Sequence, residues 1–323
     1  MGLNRDITSS VGMGVDVSVS KQVTGSASGG EAFISVWSTT GVDETITIPT
    51  QNIGTFNADV DWGDGTVETI TAYDGFSHEY ADIDDHTITI TGTFPNIYVA
   101  NGPEKLKIKK VTSLGTVGWT TLEKAFWGCS NLTEFTAGPT DTSAVTDMSY
   151  MLADCRLVTN VDVSSFDTSL VTNMFVMFYE CRALTSIDVS SFNTANAANI
   201  AYMFYDCTGL TTLDVSNFVT TSVSDMSYMF YNCTGLTSMA GVEDWVITGL
   251  NGTNDLTSFL TVGKMTTAQY DALLVKWEAQ ASGIPAMTAS FGASILTLGG
   301  AADTAKQDLI NTHGWTVYDG VTP

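Results

Sequence analysis

The chain has 323 residues and a formal net charge of -23, with 12 lysines and arginines against 35 aspartates and glutamates. Such a surface repels phosphate backbones and anionic lipid, which argues against nucleic acid and membrane partners. No apolar run reaches the roughly 20 residues that cross a bilayer, so no membrane insertion is expected. Residues 1–21 also lack the basic-then-apolar order of a secretory leader.

Residues 1–29 are polar and glycine-rich, with strand-like alternation only at Val15, Val17 and Val19. They predict an extended N-terminal arm or linker, either a loose terminus or an arm that orders when it docks on a partner. Residues 30–100 read as short strands near 33–37, 45–49, 56–62, 66–72 and 87–91, with a tight turn at Gly63-Asp64-Gly65. That spacing predicts a small β-sandwich. Asp59, Asp61 and Asp64 lack the spacing of a calcium loop and read as turn caps. In residues 101–125, Lys105, Lys107, Lys109 and Lys110 alternate with Leu106, Ile108 and Val111. This predicts a strand with a solvated face, which caps the start of the next region.

Residues 126–250 carry the most specific signal. Cys129, Cys155, Cys181, Cys207 and Cys233 are 26 residues apart at every step. Three residues before each stands Phe126, Leu152, Phe178, Phe204 or Phe230, and three after it Leu132, Val158, Leu184, Leu210 or Leu236. A fixed period of this length predicts one unit stacked on copies of itself. Met148, Met151, Leu152 and Cys155 fall at i, i+3, i+4 and i+7, which predicts a short helix in each unit. A strand follows, as in Leu184-Thr185-Ser186-Ile187-Asp188-Val189. Five is an odd number, and stacked cysteines point the same way, so buried reduced thiols are predicted rather than disulfides or a metal site.

The alternation places other columns on the outer face of the strands. Asn160, Asp162 and Ser164 recur one step on as Ser186, Asp188 and Ser190, and again as Thr212, Asp214 and Ser216. These nine residues are the candidate recognition face. Three aspartates about 5 Å apart repel one another unless hydrogen-bonded, solvated or cation-paired. Either the neighbouring hydroxyls satisfy them or the face takes a polar ligand.

In residues 251–323, Thr266 and Gln269 form a capping box for a helix from Thr267 to about Ala279. Strands are expected near 287–291, 295–298 and 315, with a second helix over 302–312. No nucleophile elbow, phosphate loop, zinc helix or dinucleotide pattern occurs, and His78, His86 and His313 lie far apart. No catalytic residue, cofactor or metal is predicted, and the chain reads as a non-enzyme.

The repeat M-F-Y-x-C-x-x-L-T-x-x-D-V-S-x-F-x-T closely resembles the BspA-type 26-residue leucine-rich repeat, also described as the mycoplasma lipoprotein repeat. Val60-Asp61-Trp62-Gly63-Asp64-Gly65-Thr66, Ser77-His78-Glu79-Tyr80 and His86-Thr87-Ile88-Thr89-Ile90 resemble a polycystic-kidney-disease-type (PKD) immunoglobulin-like domain, with Asp85-His86 where that family has Gly-Tyr. Together these imply mixed β and α/β architecture. A PKD-like β-sandwich is followed by a leucine-rich-repeat solenoid with an α/β C-terminal cap. The resemblance implies surface proteins that attach or recognise, of bacterial or phage origin. The leading expectation is a virion-surface protein of a bacteriophage: a head decoration protein, head fibre or tail fibre. Its N-terminal arm would meet capsid or tail proteins, and its repeats a host-surface protein or glycan. Such proteins are often trimeric, so a homotrimer is entertained. The alternative is a bacterial cell-surface adhesin, and a remote third is an accessory module of a hydrolase.

Overall fold

The computed structural model describes residues 30–252, 255–261 and 265–320. The N-terminal arm expected over residues 1–29 lies outside the described residues.

The strand pattern near the N-terminus forms β1 (Phe33–Ser38), β2 (Glu44–Thr47), β3 (Asn57–Asp61), β4 (Val67–Ile70), β5 (Ser77–Tyr80) and β6 (Asp85–Thr93). Alternating residues point inward, as Phe33, Ser35 and Trp37 do on β1. β2 pairs with β5, opposite a larger sheet. The turn at Gly63 requires glycine. Its φ is +86°, and a Cβ there would lie 2.5 Å from the Thr87 carbonyl oxygen. Asp61 Oδ1 accepts from the Gly63 N–H and Asp64 Oδ1 from the Thr66 N–H, at 2.9 and 2.8 Å. Both aspartates therefore cap this turn.

The lysine-rich segment becomes β7 (Ile108–Ser113), and it corrects the predicted architecture. β7 pairs antiparallel with β1 on one side and parallel with β8 (Glu134–Thr136) on the other. β9 (Asn160–Asp162) pairs parallel with β8. The result is one seven-stranded mixed sheet, ordered β4-β3-β6-β1-β7-β8-β9. A PKD-like sandwich followed by a separate leucine-rich-repeat solenoid is not what forms. β7, paired on both sides, carries the sheet from the antiparallel strands into the repeats, and one hydrophobic core runs from Phe33 to Trp315.

The repeats differ from the expected helix-and-strand unit as well. Between β7 and α1 the described residues contain no α-helix. Residues 148–155 form two tandem turns instead. Met151 N–H donates to the Met148 carbonyl, and Cys155 N–H to that of Leu152. Tyr150 and Asp154 are left-handed, with φ of 56° and 64°. The apolar spacing still buries Met148, Met151, Leu152 and Cys155 completely. Tandem turns and a helix share this burial pattern, and the left-handed residues choose the turns.

Strands are short and interrupted. No strand forms at Ser186–Asp188, so β10 (Thr212–Asp214) and β11 (Ser238–Ala240) make a separate parallel pair. α1 (Thr267–Glu278) starts at the Thr266–Gln269 capping box. β12 (Thr288–Ser290) pairs parallel with β13 (Thr316–Tyr318), and α2 (Ala301–Asn311) lies between them in sequence. The strand expected over 295–298 is absent, and Ile295 and Leu298 are exposed.

All five cysteines are free and buried. Four donate to a carbonyl of the preceding repeat, as Cys181 Sγ does to Leu152 at 3.3 Å and Cys207 Sγ to Phe178 at 3.1 Å. Burial pushes their thiols up, Cys233 to about 12. Alkylation in native buffer is therefore expected to stay far slower than in denaturant, where all five react at once. Rapid native labelling of several thiols would contradict this burial.

Candidate recognition surface

Alternate N–H groups of each tandem turn donate to the next repeat. Tyr150, Leu152 and Asp154 donate to the carbonyls of Phe175, Met177 and Tyr179, at 2.9, 2.9 and 2.6 Å. Val176, Phe178 and Glu180 donate to Ala201, Met203 and Tyr205, at 3.0, 2.9 and 2.7 Å. This register stacks equivalent side chains. Inside, the Phe178, Phe204 and Phe230 rings pile face to face.

Outside, the same register builds a tyrosine ladder. Tyr179, Tyr205 and Tyr231 stack with centroids 4.7 and 4.6 Å apart, and Tyr202 on Tyr228 at 4.7 Å. Trp127, Tyr150 and Phe175 extend this aromatic surface towards β7 through ring contacts of 5.0 to 5.7 Å. These rings are half-buried. Burial first, then Glu180, pushes the Tyr179 phenol up to about 12.

Beside the tyrosines runs a ladder of ions. Asp154 Oδ1 accepts from Arg156 Nε at 2.6 Å, and Glu180 Oε2 lies 2.8 Å from Arg156 Nη2 and 2.9 Å from Arg182 Nη2. Asp206 Oδ2 accepts from Arg182 Nε at 2.7 Å, and its Oδ1 accepts from Asn232 Nδ2. The guanidiniums are outermost, at 47% and 45% exposure, over Glu180 and Asp206 at 14% and 10%. Two arginines thus alternate with three carboxylates along the strip, which leaves one negative charge in excess. The left-handed positions hold these carboxylates in place, with φ of 64°, 55° and 56° at Asp154, Glu180 and Asp206.

The face predicted from the sequence lies on the strand side. Asn160, Ser164, Ser186, Asp188, Ser190, Thr212, Asp214 and Ser216 are exposed, and Asp162 is half-buried. Asp162 accepts from the N–H and hydroxyl of Ser164, at 3.0 and 2.6 Å. Asp188 and Asp214 accept from the N–H of Ser190 and Ser216, at 2.9 Å each. The serines are thus engaged by their own repeat's aspartate. Asn160 and Asp162 sit on β9, Thr212 and Asp214 on β10, and the unpaired segment at 186–188 separates them.

Serine hydroxyls first, then backbone N–H groups, lower the carboxyls of Asp141, Asp167, Asp188 and Asp214 below their ordinary range. A depressed folded value adds stability above the unfolded value near 4, which is lost as pH falls through the folded one. Acidification to about pH 4.5 relieves the repulsion of an acidic surface, and below the unfolded value near 4 the melting temperature should drop. In the chain bearing Asp141, Asp167, Asp188 and Asp214 all as asparagine, that drop should be shallower. An unchanged acid limb in differential scanning fluorimetry would show that these turns do not set it.

Sequence reasoning missed the tyrosine and ion ladders. Their signal is the pair of columns two and five residues before each cysteine, which hold Tyr150, Tyr179, Tyr202, Tyr205, Tyr228 and Tyr231. The three histidines occupy separate places, His78 on Asp64, His86 on Thr39 and His313 near Glu278. Among the described residues no group of three metal-ligating side chains occurs, and no helix is long and apolar enough to cross a membrane.

Residues 107–247 match the model of a family described as mycoplasma proteins of unknown function (DUF285). That segment, less than half of the chain, covers almost the whole stretch read as the BspA-type repeat. The match does not extend to the residues read as PKD-like. No curated protein and no solved structure matches the chain.

Proposed function

We propose that the chain is a non-enzymatic recognition protein, displayed at the surface of a phage virion or of a bacterial cell and binding through its repeats. The observation that carries this is the aromatic strip beside the paired arginines. Tyrosine, tryptophan and arginine are the residues enriched where proteins hold partners. Here they are fixed in position by backbone hydrogen bonds before any partner arrives, which lowers the ordering cost of binding. The strip is long and flat rather than enclosed, which suits binding better than a buried reaction. The exposed hydroxyls and aspartates from Asn160 to Ser216 supply a second polar face on the same repeats.

Immunogold labelling with antibody raised against the full chain tests the location. Grains on particles support a virion component that docks by residues 1–29, and grains on cell envelopes support an adhesin. Label confined to the cell interior would overturn both. Fluorescently labelled chain should also adhere to intact cells of some bacterial or animal type. Substituting Arg182→Glu together with Tyr205→Ala should lower that adhesion, and unchanged adhesion would remove the strip from the recognition role.

A further inference from the structure

We infer that the tyrosine–arginine strip binds an uncharged, extended polysaccharide, laid along the repeat axis with about one sugar per repeat. This rests on the recognition reading above and names the ligand class for one of its faces. Three observations carry it.

The first is spacing. Successive tyrosine rings are 4.6 to 4.7 Å apart, comparable to the length of one pyranose in an extended chain. A periodic surface of this pitch keeps register with a periodic ligand over several repeats.

The second is the set of donors and acceptors. The contacts of both guanidiniums run through Nε and Nη2. Their Nη1 donors are left for a ligand, and an arginine presents them in a fixed fork. The hydroxyls of Tyr202, Tyr205, Tyr228 and Tyr231 take no protein partner among the described residues, so each can give and accept one hydrogen bond. Planar forks and hydroxyls held rigid along the edges of the stacked rings match the vicinal hydroxyls of a sugar. The aromatic column also ends in a platform. Tyr228 N–H donates to Thr257 of the next turn, where Ser258 takes the left-handed position that Tyr228 holds in its own. No aromatic ring covers Tyr228 on that side among the described residues.

The third is charge. The whole chain is at -23, which repels an acidic glycan at long range. The strip itself pairs its arginines with Asp154, Glu180 and Asp206. With two arginines among three carboxylates it offers hydrogen bonds but no surplus positive charge to hold an anion, and the ligand it fits is neutral.

Isothermal titration of the full chain with neutral cello-, xylo-, manno- and chito-oligosaccharides of two to six sugars tests this. At least one series should bind, and its affinity should rise with length before levelling. Tyr205→Phe with Arg182→Lys keeps the ring stack and the charge but removes a hydroxyl and the planar fork. That double variant should bind about tenfold more weakly, the loss expected for one or two such hydrogen bonds, while circular dichroism shows it folded and it still unfolds cooperatively in urea. Tyr228→Ser should weaken binding without altering the length dependence. Failure of every series to bind, or equal binding by the double variant, overturns the inference. If the chain adheres to cells, no series binds and the double variant adheres as before, the recognition reading stands without this ligand. If the variant loses adhesion while no series binds, the strip holds a protein and the glycan is wrong.

Discussion

Replacing Asp319 by alanine should lower stability by about 3–5 kcal/mol, the cost of removing one partner from a buried ion pair. The Asp319 side chain is 1% exposed and lies 2.9 Å from Lys306 Nζ, itself 11% exposed. Tyr270 donates its hydroxyl to Asp319 Oδ2 at 2.6 Å. Burial first, and then Asp319, raise the Tyr270 phenol well above its ordinary value, so it stays a donor at any working pH. The three residues join α1, α2 and the end of β13. This ties the segment that covers the last repeat, where the stack would otherwise expose apolar side chains such as Phe259 and Phe230. The magnitude depends on which partner is removed. Lys306→Met with Asp319→Leu removes both charges, and an apolar pair of similar size is often neutral or stabilising. Urea unfolding should therefore show a large loss for Asp319→Ala and most of it regained in the double variant. A single variant within about 0.5 kcal/mol of the parent, as for ordinary surface changes, would mean that solvent reaches the pair.

The parts of this fold that sequence revealed are those fixed by local chemistry. Thr266 and Gln269 announced α1 because a capping box satisfies its own N–H groups within four residues. The short run from Phe33 to Trp37, rich in β-branched and aromatic residues, announced β1. The helix expected at Met148 failed for a physical reason: burial at i, i+3, i+4 and i+7 is also what two tandem turns produce. Only the left-handed backbone at Tyr150 and Asp154 separates the two, and neither residue type demands it. The merging of sheet and repeats was hidden because β7 lies one period before the first cysteine, at a step where the cysteine column holds Pro103. The tyrosine ladder was hidden by its interruptions. Lys124 and Val176 stand in one of its columns, and Ala153 in the other. Phe175 fills the place beside Val176 only once the repeats are stacked. The aspartate and serine columns were visible, but their hydrogen bonds to one another were one of two open outcomes until the turns were seen.

A second large effect is expected from a threonine that lies in no recognition face. Thr142, Thr168, Thr194 and Thr220 are buried, one per repeat. Each bridges to the backbone of the next repeat through its hydroxyl. Thr168 Oγ1 donates to the Asn193 carbonyl at 3.0 Å and accepts from the Asn193 N–H at 2.7 Å. Thr194 does the same with Val219, at 3.0 and 2.8 Å. One hydroxyl therefore satisfies two backbone groups that no strand ladder reaches. Valine has nearly the same shape and neither bond. Thr168→Val should cost about 2–4 kcal/mol, since each buried group left unmade costs roughly 1–3. Thr168→Ser keeps the hydroxyl and should cost far less. Repeats contact only their neighbours, so the loss is felt by the coupling between two of them rather than by the whole chain. Hydrogen exchange should then show protection falling first on the repeats either side of residue 168, with the sheet from β1 to β6 unaffected. If Thr168→Val and Thr168→Ser unfold alike in urea, packing of the methyl rather than the paired hydrogen bonds joins these repeats.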